Sequence, residues 1–462
     1  MVHPLRGQTA VVGVGLTKFG DLPGKTHLEL LAEASYAALD DAGLKLTDVD
    51  GLFVSSMGRV FHPLQVAEYL GVKPSAIDGT NVGGSAFVNA IQHAAMALHN
   101  GVCNVALIAY GSTSRSDRKS GTPRVGGNPN AGVMYQSEYK PMLPVGSYAL
   151  VANRYMHEYG MTRDQLSSVA VTFRKWAQLN PRAEMRGPLT IEDVSRARMI
   201  CDPFTLFDCC LVSDAGAALV MTRADRARSL KQKPVYMLGI GSGTSHDQIA
   251  QLADFTVTAC AMSGPRAFGM AGLKPKDVDV IEVYDAFSIN PILFLEDLGF
   301  VKKGEGGAFF AEGHAAPGGK LPVNTNGGGM SCVHPGMYGM FVSIEAVEQL
   351  RGNTGARQVE GAEVALANGN GGLLSNQSTA IFGTAATLGA EARTTKRASA
   401  KKVVKKAAKK AAKKAPKKAV KKAAKKSAKK AAKKVAKKVA KKAPKKAVKK
   451  AVKKTAKKAK RR

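Results

Sequence analysis

The sequence predicts an α/β fold built from two related halves, and three observations carry that reading. The pattern AGLKxxDVD occurs at Ala42–Asp50 and again at Ala271–Asp279. Each copy follows a helix-like stretch (LLAEASYAALDD, then TACAMSGPRAFGM) and runs into an apolar strand-like one (GLFVSS, then VIEVYDAF). The body, about 390 residues ahead of a lysine-rich end, is longer than one hydrophobic core usually supports. The copies stand 229 residues apart, far beyond the roughly 20–50 residues of a stacked repeat. The repeat therefore reads as a duplicated unit of helix, tight turn, Asp-rich cap and buried strand. A cleft between two such halves is a usual place for a ligand.

Charge divides the chain into two physical objects. The formal net charge is +33, and residues 401–462 hold 33 Lys and Arg with no acid. Removing these from the 68 basic residues leaves 35, equal to the 35 acidic ones, so the body is neutral. The tail repeats KKxx, interrupted by Pro416 and Pro444. A period of four drifts around a 3.6-residue helix and leaves no apolar face. Such a segment has little to bury and is expected to be disordered alone. Facing DNA, RNA, polyphosphate or an anionic membrane, it gains counterion release instead, and its lack of aromatics argues against base stacking. In composition it resembles the tails of linker histones and some nucleoid proteins, which makes nucleoid association an expectation.

Six cysteines show no CxxC pair. No secretory segment is read at MVHPLRGQTAVVGVG, and no apolar run approaches a membrane span. A cytoplasmic setting with reduced thiols is expected.

The elements follow in order. TAVVGVGLTKFG (Thr9–Gly20) reads as a strand and glycine turn, but GVG is not followed by a full GxGxxG, so nicotinamide binding is rejected. Asp78–Gly101 is a glycine loop entering a helix, followed by the strand NVALIAYG; the free N–H groups of such a helix start face any nearby ligand. DAGAALVM reads as a turn into a buried strand. VYDAFSIN, NTNGGGMSCVHPGMYGM and ANGNGGLLSNQSTAIFG then supply glycine- and asparagine-rich loops, one bearing His-Pro-Gly.

Together these pieces resemble the thiolase superfamily, in particular its sterol-carrier-protein type. The carrying segments are GVGLTKFG, NVGGSAF, DPFTLFDCCLVSDAGAALV, VYDAFS, NTNGGG…HPG and NGNGG, with GSYALVANRYMHEYGMTRDQLSSVAV matching the loop domain. The resemblance covers residues 5–386. It implies two βαβαβαββ halves in a five-layered αβαβα sandwich, a homodimer and a CoA-thioester substrate, with no metal or separate cofactor. The implied division is 1–250 for the first half, its loop domain about 112–200, 251–390 for the second half, and 391–462 for the tail.

The chain departs from thiolases where their covalent chemistry resides. Asn81 stands at the position of the nucleophilic cysteine, and Ala367 or Asn368 at that of the second cysteine. Tyr284 replaces the usual His or Asn of the oxyanion hole, while His334 of HPG remains. Without the cysteines acyl transfer is lost, but stabilisation of a thioester enolate is not. A retro-aldol cleavage needs only a base for the hydroxyl proton and donors for the enolate oxygen, each donor worth roughly 2.7–4 kcal/mol.

The chain is similar here to the steroid side-chain-cleaving aldolases. That likeness implies Tyr284 and Tyr338 as acid and base in undetermined order, His334 as oxyanion donor or proton shuttle, and Asp285 orienting Tyr284. Asn81, Gly83, Gly84, Asn326, Gly328, Asn368 and Gly371 are implied to line the substrate site. A phenol with a pKa near 10 needs a neighbouring cation or hydrogen bonds to act as base at neutral pH. Related aldolases use a zinc-ribbon/OB-fold acyl-CoA-binding partner, which here would be a separate polypeptide. Two alternatives stand beside this reading: an acyltransferase using a displaced cysteine such as Cys332, and a non-catalytic scaffold bound to polyanions through its tail. Cys209 and Cys210 are expected in packed strand structure without chemistry.

Overall fold

The computed structural model describes residues 3–56, 59–120, 138 and 142–389; the lysine-rich tail lies outside them. Eleven strands are present among the described residues: β1 (Thr9–Leu16), β2 (Gly51–Val54), β3 (Ala76–Asp78), β4 (Val105–Ser112), β5 (Met199–Cys201), β6 (Phe204–Thr205), β7 (Ala215–Arg223), β8 (Val235–Thr244), β9 (Val280–Val283), β10 (Val364–Gly371) and β11 (Asn376–Gly383). Strands β5 and β6 form a small ribbon, and the other nine share one sheet in the order β3-β2-β4-β7-β1-β8-β11-β10-β9.

The duplication is visible in the pairing. At the centre β1 meets β8 antiparallel, Ala10 opposite Tyr236. Outward on one side, β1–β7 and β7–β4 are antiparallel, β4–β2 and β2–β3 parallel. Outward on the other, β8–β11 and β11–β10 are antiparallel, β10–β9 parallel, and Ile281 bridges in parallel to Val323. The two series run in the same senses. Helix His27–Ala42 covers β1, β4 and β7, and helix Cys260–Ala271 covers β8 and β11. Helices Ala86–His99 and Gly339–Arg351 touch each other and strands of both half-sheets, forming the central layer of an αβαβα sandwich.

Several positions of the repeat do the same work in both copies. Gly43 (φ 71°) and Gly272 (φ 63°) end their helices in the left-handed conformation that favours glycine. Leu44 N–H then returns to Leu39 O at 2.9 Å, and Leu273 N–H to Phe268 O at 3.2 Å. Asp48 and Asp277 accept from the backbone N–H of Lys45 (2.8 Å) and Lys274 (3.0 Å), closing a 3₁₀ turn. Asp50 accepts from Val105 N–H at 2.8 Å, tying the start of β2 to β4, as Asp279 accepts from Val364 N–H at 3.0 Å and ties β9 to β10. The GVG of β1 has a structural counterpart in the GIG of β8. A Cβ at Gly13 or Gly15 would overlap carbonyls of the first outer helix, and one at Gly239 or Gly241 carbonyls of the second, so these glycines seat helices.

Two local expectations change. ANGNGG forms the end of β10 and the entry to its hairpin with β11, rather than a loop. Glycine is needed there because the start of the central helix Ala86–His99 rests on the strand: a Cβ on Gly371 would overlap the Val82 carbonyl. Cys209 and Cys210 lie before β7 in irregular chain, each half-buried, with Cys210 N–H donating to Ala286 O at 2.9 Å.

Candidate active site

Strand β9 ends by handing the chain to Tyr284. Its N–H donates to Asn368 O at 3.0 Å, and its phenol donates to Gly336 O at 3.2 Å. The ring lies against Gly84, where any Cβ would overlap it. Gly339 N–H donates to Gly84 O at 3.1 Å, so the loop entering one central helix is tied to the start of the other. Tyr338 precedes helix Gly339–Arg351; its phenol donates to Asn326 Oδ1 at 3.1 Å and its ring stacks on Phe341. His334 completes a triangle of rings. Its centroid lies 5.4 Å from Tyr284, edge to face, and 5.7 Å from Tyr338, while the tyrosines are 5.8 Å apart.

The His-Pro-Gly turn is clamped through its backbone. His334 N–H donates to Ser213 Oγ at 3.1 Å and its carbonyl accepts Ser213 N–H at 3.2 Å. Pro335 O accepts both Tyr110 Oη (2.7 Å) and Ser114 Oγ (3.2 Å). None of these backbone bonds uses the imidazole. His334 Nε2 is buried without a hydrogen-bond partner among the described residues.

Burial sets the protonation states. His334 is 7 % exposed, and desolvation of its cation holds the imidazole down at about 4. Desolvation of the phenolate pushes Tyr284 and Tyr338 well above the ordinary tyrosine value. No cation is in contact with either phenol among the described residues, so both stay protonated hydrogen-bond donors at neutral pH. The imidazole is neutral and its free nitrogen can accept.

Asp285 does not orient Tyr284, contrary to the expectation from sequence. Its carboxylate accepts from Gly329 N–H (2.7 Å) and Met330 N–H (3.2 Å), capping the turn that leads to His334, and burial raises it to about 8 against those two bonds. The partner of the Tyr284 phenol is the Gly336 carbonyl instead. Asn326 is at the site as acceptor for Tyr338 and for Gly328 N–H at 2.7 Å. Asn81 is exposed on the glycine loop, its Nδ2 donating to Ser56 O at 3.0 Å and its Oδ1 accepting from Gly83 N–H at 3.2 Å. Gly83, Gly84 and Gly371 pack loop on strand, and Gly328 (φ 68°) packs on Asp285. Asn368 points elsewhere: its Nδ2 donates to Thr379 Oγ1 at 2.9 Å, and its Oδ1 accepts the Cys260 thiol at 3.7 Å.

Sequence reasoning missed Tyr148 and Asn370. Tyr148 Oη accepts from Asn370 Nδ2 at 2.8 Å and donates to Gly372 O at 3.1 Å, and burial pushes the phenol up to about 12. Both lie inside matched segments, but no spacing rule joins residues 222 positions apart. Cys332 sits beside Asn180 (Nδ2 to Sγ, 3.5 Å) and lines a small void with Phe19, Glu345 and Arg357. Burial first, then the Glu345 charge, raise its thiol well above the ordinary value, so it is no thiolate. Cys210 is likewise pushed up by burial.

Residues 241–384 match the family model described as "Thiolase C-terminal domain-like". Over 381 residues the chain is 38% identical to "17-hydroxy-3-oxo-4-pregnene-20-carboxyl-CoA lyase" of Mycobacterium tuberculosis, covering 80% of this chain and 98% of that one. Over 387 residues it is 37% identical to "Acetyl-CoA acetyltransferase" of Methanothermobacter thermautotrophicus, covering 81% and 98%. Among solved structures it is similar to "Ltp2-ChsH2(DUF35) aldolase", with a TM-score of 0.74, 32% identity, and coverage of 82% of this chain and 98% of that one.

Proposed function

The chain belongs to the thiolase superfamily, and from that premise we propose that it is a carbon–carbon lyase, a retro-aldolase acting on a bulky 3-hydroxyacyl-CoA such as a steroid side-chain CoA ester. One observation carries the choice between the lyase and acyltransferase relatives. The glycine loop holds Asn81 where acyl transfer needs a thiol, and the ring beneath Gly84 is the phenol of Tyr284. An amide cannot form an acyl-enzyme; a buried phenol can donate to an oxyanion.

In the proposed reaction the neutral His334 accepts the substrate hydroxyl proton at Nε2. The Cα–Cβ bond breaks as the hydroxyl carbon becomes a ketone, and its electron pair moves onto the thioester as an enolate. Tyr284 and Tyr338 donate to the enolate oxygen, and the proton taken up by His334 passes to Cα, releasing a shorter acyl-CoA and leaving the imidazole neutral again. CoA enters as part of the substrate, and the reaction needs no separate cofactor. Aligned donors in a water-poor site are worth more than in water, because little reorganisation is required as charge develops.

The test is incubation with a 17-hydroxy steroid side-chain CoA ester and detection of propionyl-CoA by mass spectrometry. Release supports the lyase; its absence, even with a partner subunit added, counts against it. Against the acyltransferase alternative, Cys332→Ala is expected to keep lyase turnover within about threefold, because a protonated buried thiol supplies no nucleophile. Thiolase activity that disappears in this variant would reverse the assignment.

The remaining organisation is proposed on the same footing. Residues 1–250, with a loop domain near 112–200, and 251–390 are taken as the halves of a homodimer subunit, and β3 is an edge strand without a further strand partner among the described residues. The similar solved aldolase is named for Ltp2 together with ChsH2(DUF35), which supports a separate acyl-CoA-binding subunit. Six free cysteines support a reducing, cytoplasmic setting, and no described helix is long and apolar enough to cross a membrane.

The tail is proposed to bind a polyanion, tested as duplex DNA, apart from catalysis. The two curated relatives are covered to 98% by 80–81% of this chain, leaving about a fifth of it without counterpart. Deleting 395–462 is expected to leave turnover unchanged and to abolish DNA retention. In the full chain log K should fall steeply with log salt, by about 0.9 per phosphate neutralised. Retention with a flat salt dependence would overturn this account.

A further inference from the structure

The carboxyl of Glu282, two residues before Tyr284, is fully buried. Its Oε1 lies 2.7 Å from Thr325 Oγ1 and accepts Thr325 N–H at 3.1 Å. The same Thr325 Oγ1 lies 2.7 Å from Glu345 Oε1 and accepts from Gln349 Nε2 at 2.9 Å. A hydroxyl carries one proton. It can donate to one of the two carboxylates; the other must bring a proton of its own or oppose lone pairs.

The surroundings decide which one does. Glu345 is held by Arg357 through two bonds, Nε at 2.9 Å and Nη2 at 3.0 Å, the paired geometry of guanidinium and carboxylate. Glu348 shares Arg357 and also meets Arg182, each at 3.1 Å. Glu282 touches no cation among the described residues, and its Oε2 is buried without a partner. Tyr338 is a further titratable group that feels Glu282, and the Arg357 charge acts on Glu282 in the opposite sense, lowering its carboxyl without touching it. The proton therefore resides on Glu282, which donates to Thr325, which donates to Glu345. Burial and the Glu345 charge both push the Glu282 carboxyl up, consistent with this count.

The bond lies in a seam that joins the two tyrosines. Asn324, at φ 52°, pairs its side chain with both backbone groups of Val283, at 2.7 and 2.9 Å. Thr325 follows, bonded to Glu282; Asn326 follows that, holding the Tyr338 phenol. On the opposite side Val283 is followed by Tyr284. We propose that Glu282 works as a neutral carboxylic acid, a positioning residue whose bond to Thr325 sets Tyr284 against Tyr338. The positioning role rests on the lyase reading above; the protonation state does not.

Difference infrared spectroscopy on the full chain at neutral pH tests the state directly. A protonated carboxyl band present in the native protein and absent in Glu282→Gln is expected, and its absence in the native protein overturns the proposal whatever the enzyme does. In thermal melts the sign follows from a raised folded-state pKa. The native chain should lose stability relative to Glu282→Gln as pH rises from about 4 towards the raised folded-state value, because only the unfolded carboxyl ionises freely. With lyase substrate, Glu282→Gln should keep kcat within about threefold, and Glu282→Ala should lower it at least tenfold at unchanged KM. Equal loss in both variants, or none in Glu282→Ala, would remove the positioning role.

Discussion

Tyr284→Phe is expected to lower kcat by roughly a hundredfold or more, the scale of losing one preorganised oxyanion donor. The variant deletes a single oxygen whose present bond is to the Gly336 carbonyl at 3.2 Å. The ring keeps its seat under Gly84 and beside His334, so folding and substrate binding should change little. The measurement is steady-state propionyl-CoA release compared with native protein of matched circular dichroism. A fall in kcat with KM nearly unchanged marks an interaction made in the transition state. Native turnover in the variant would take the phenol out of the chemistry.

His334→Gln should be as damaging, by about 10²–10⁴-fold, the usual contribution of a positioned general base. Glutamine can still fill the space, and the backbone bonds from His334 to Ser213 do not involve the side chain, so the turn should survive. The pH profile separates this role from simple packing. The base must be neutral, and burial holds His334 at about 4. The acid limb of kcat/KM should therefore fall as pH drops through about 4, well below the ordinary histidine value near 6.5. On the alkaline side the raised tyrosines remain donors through neutral pH. An acid limb near 6.5 would mean that the imidazole is solvated in the working enzyme.

The chemistry legible in the sequence was what depends on presence or absence. On the proposed lyase reading, Asn81 leaves the position of the nucleophile without a thiol, and Tyr284 and His334 lie in the motifs expected to face the substrate. Direction of proton flow was not legible. A tyrosine reads the same in sequence whether its neighbour is a cation or a carbonyl, and here it is a carbonyl. Asp285 follows Tyr284 in the chain, which suggested a shared hydrogen bond, but the end of β9 sends the two side chains to different partners. Asn368 carries the right motif, yet its amide is spent on Thr379.

Local physics was enough to specify the duplicated fold. A helix stop, an Asp-capped turn and an apolar strand are short-range features, and their recurrence at Ala42 and Ala271 announced two equivalent halves before any contact was known. The neutral body and cationic tail were equally plain, since charge is additive along a chain. Assembly of the site was decided elsewhere. Tyr148 meets Asn370 across 222 residues, Tyr110 meets Pro335 across 225, and Glu282 meets Thr325 across 43. The first two pairings exist only once distant parts of the chain close on one another, and the third once the segment through Val323 pairs beside Ile281. That closure removes water, and the loss of water is what makes His334 an acceptor, keeps the tyrosines as donors and leaves a proton on Glu282.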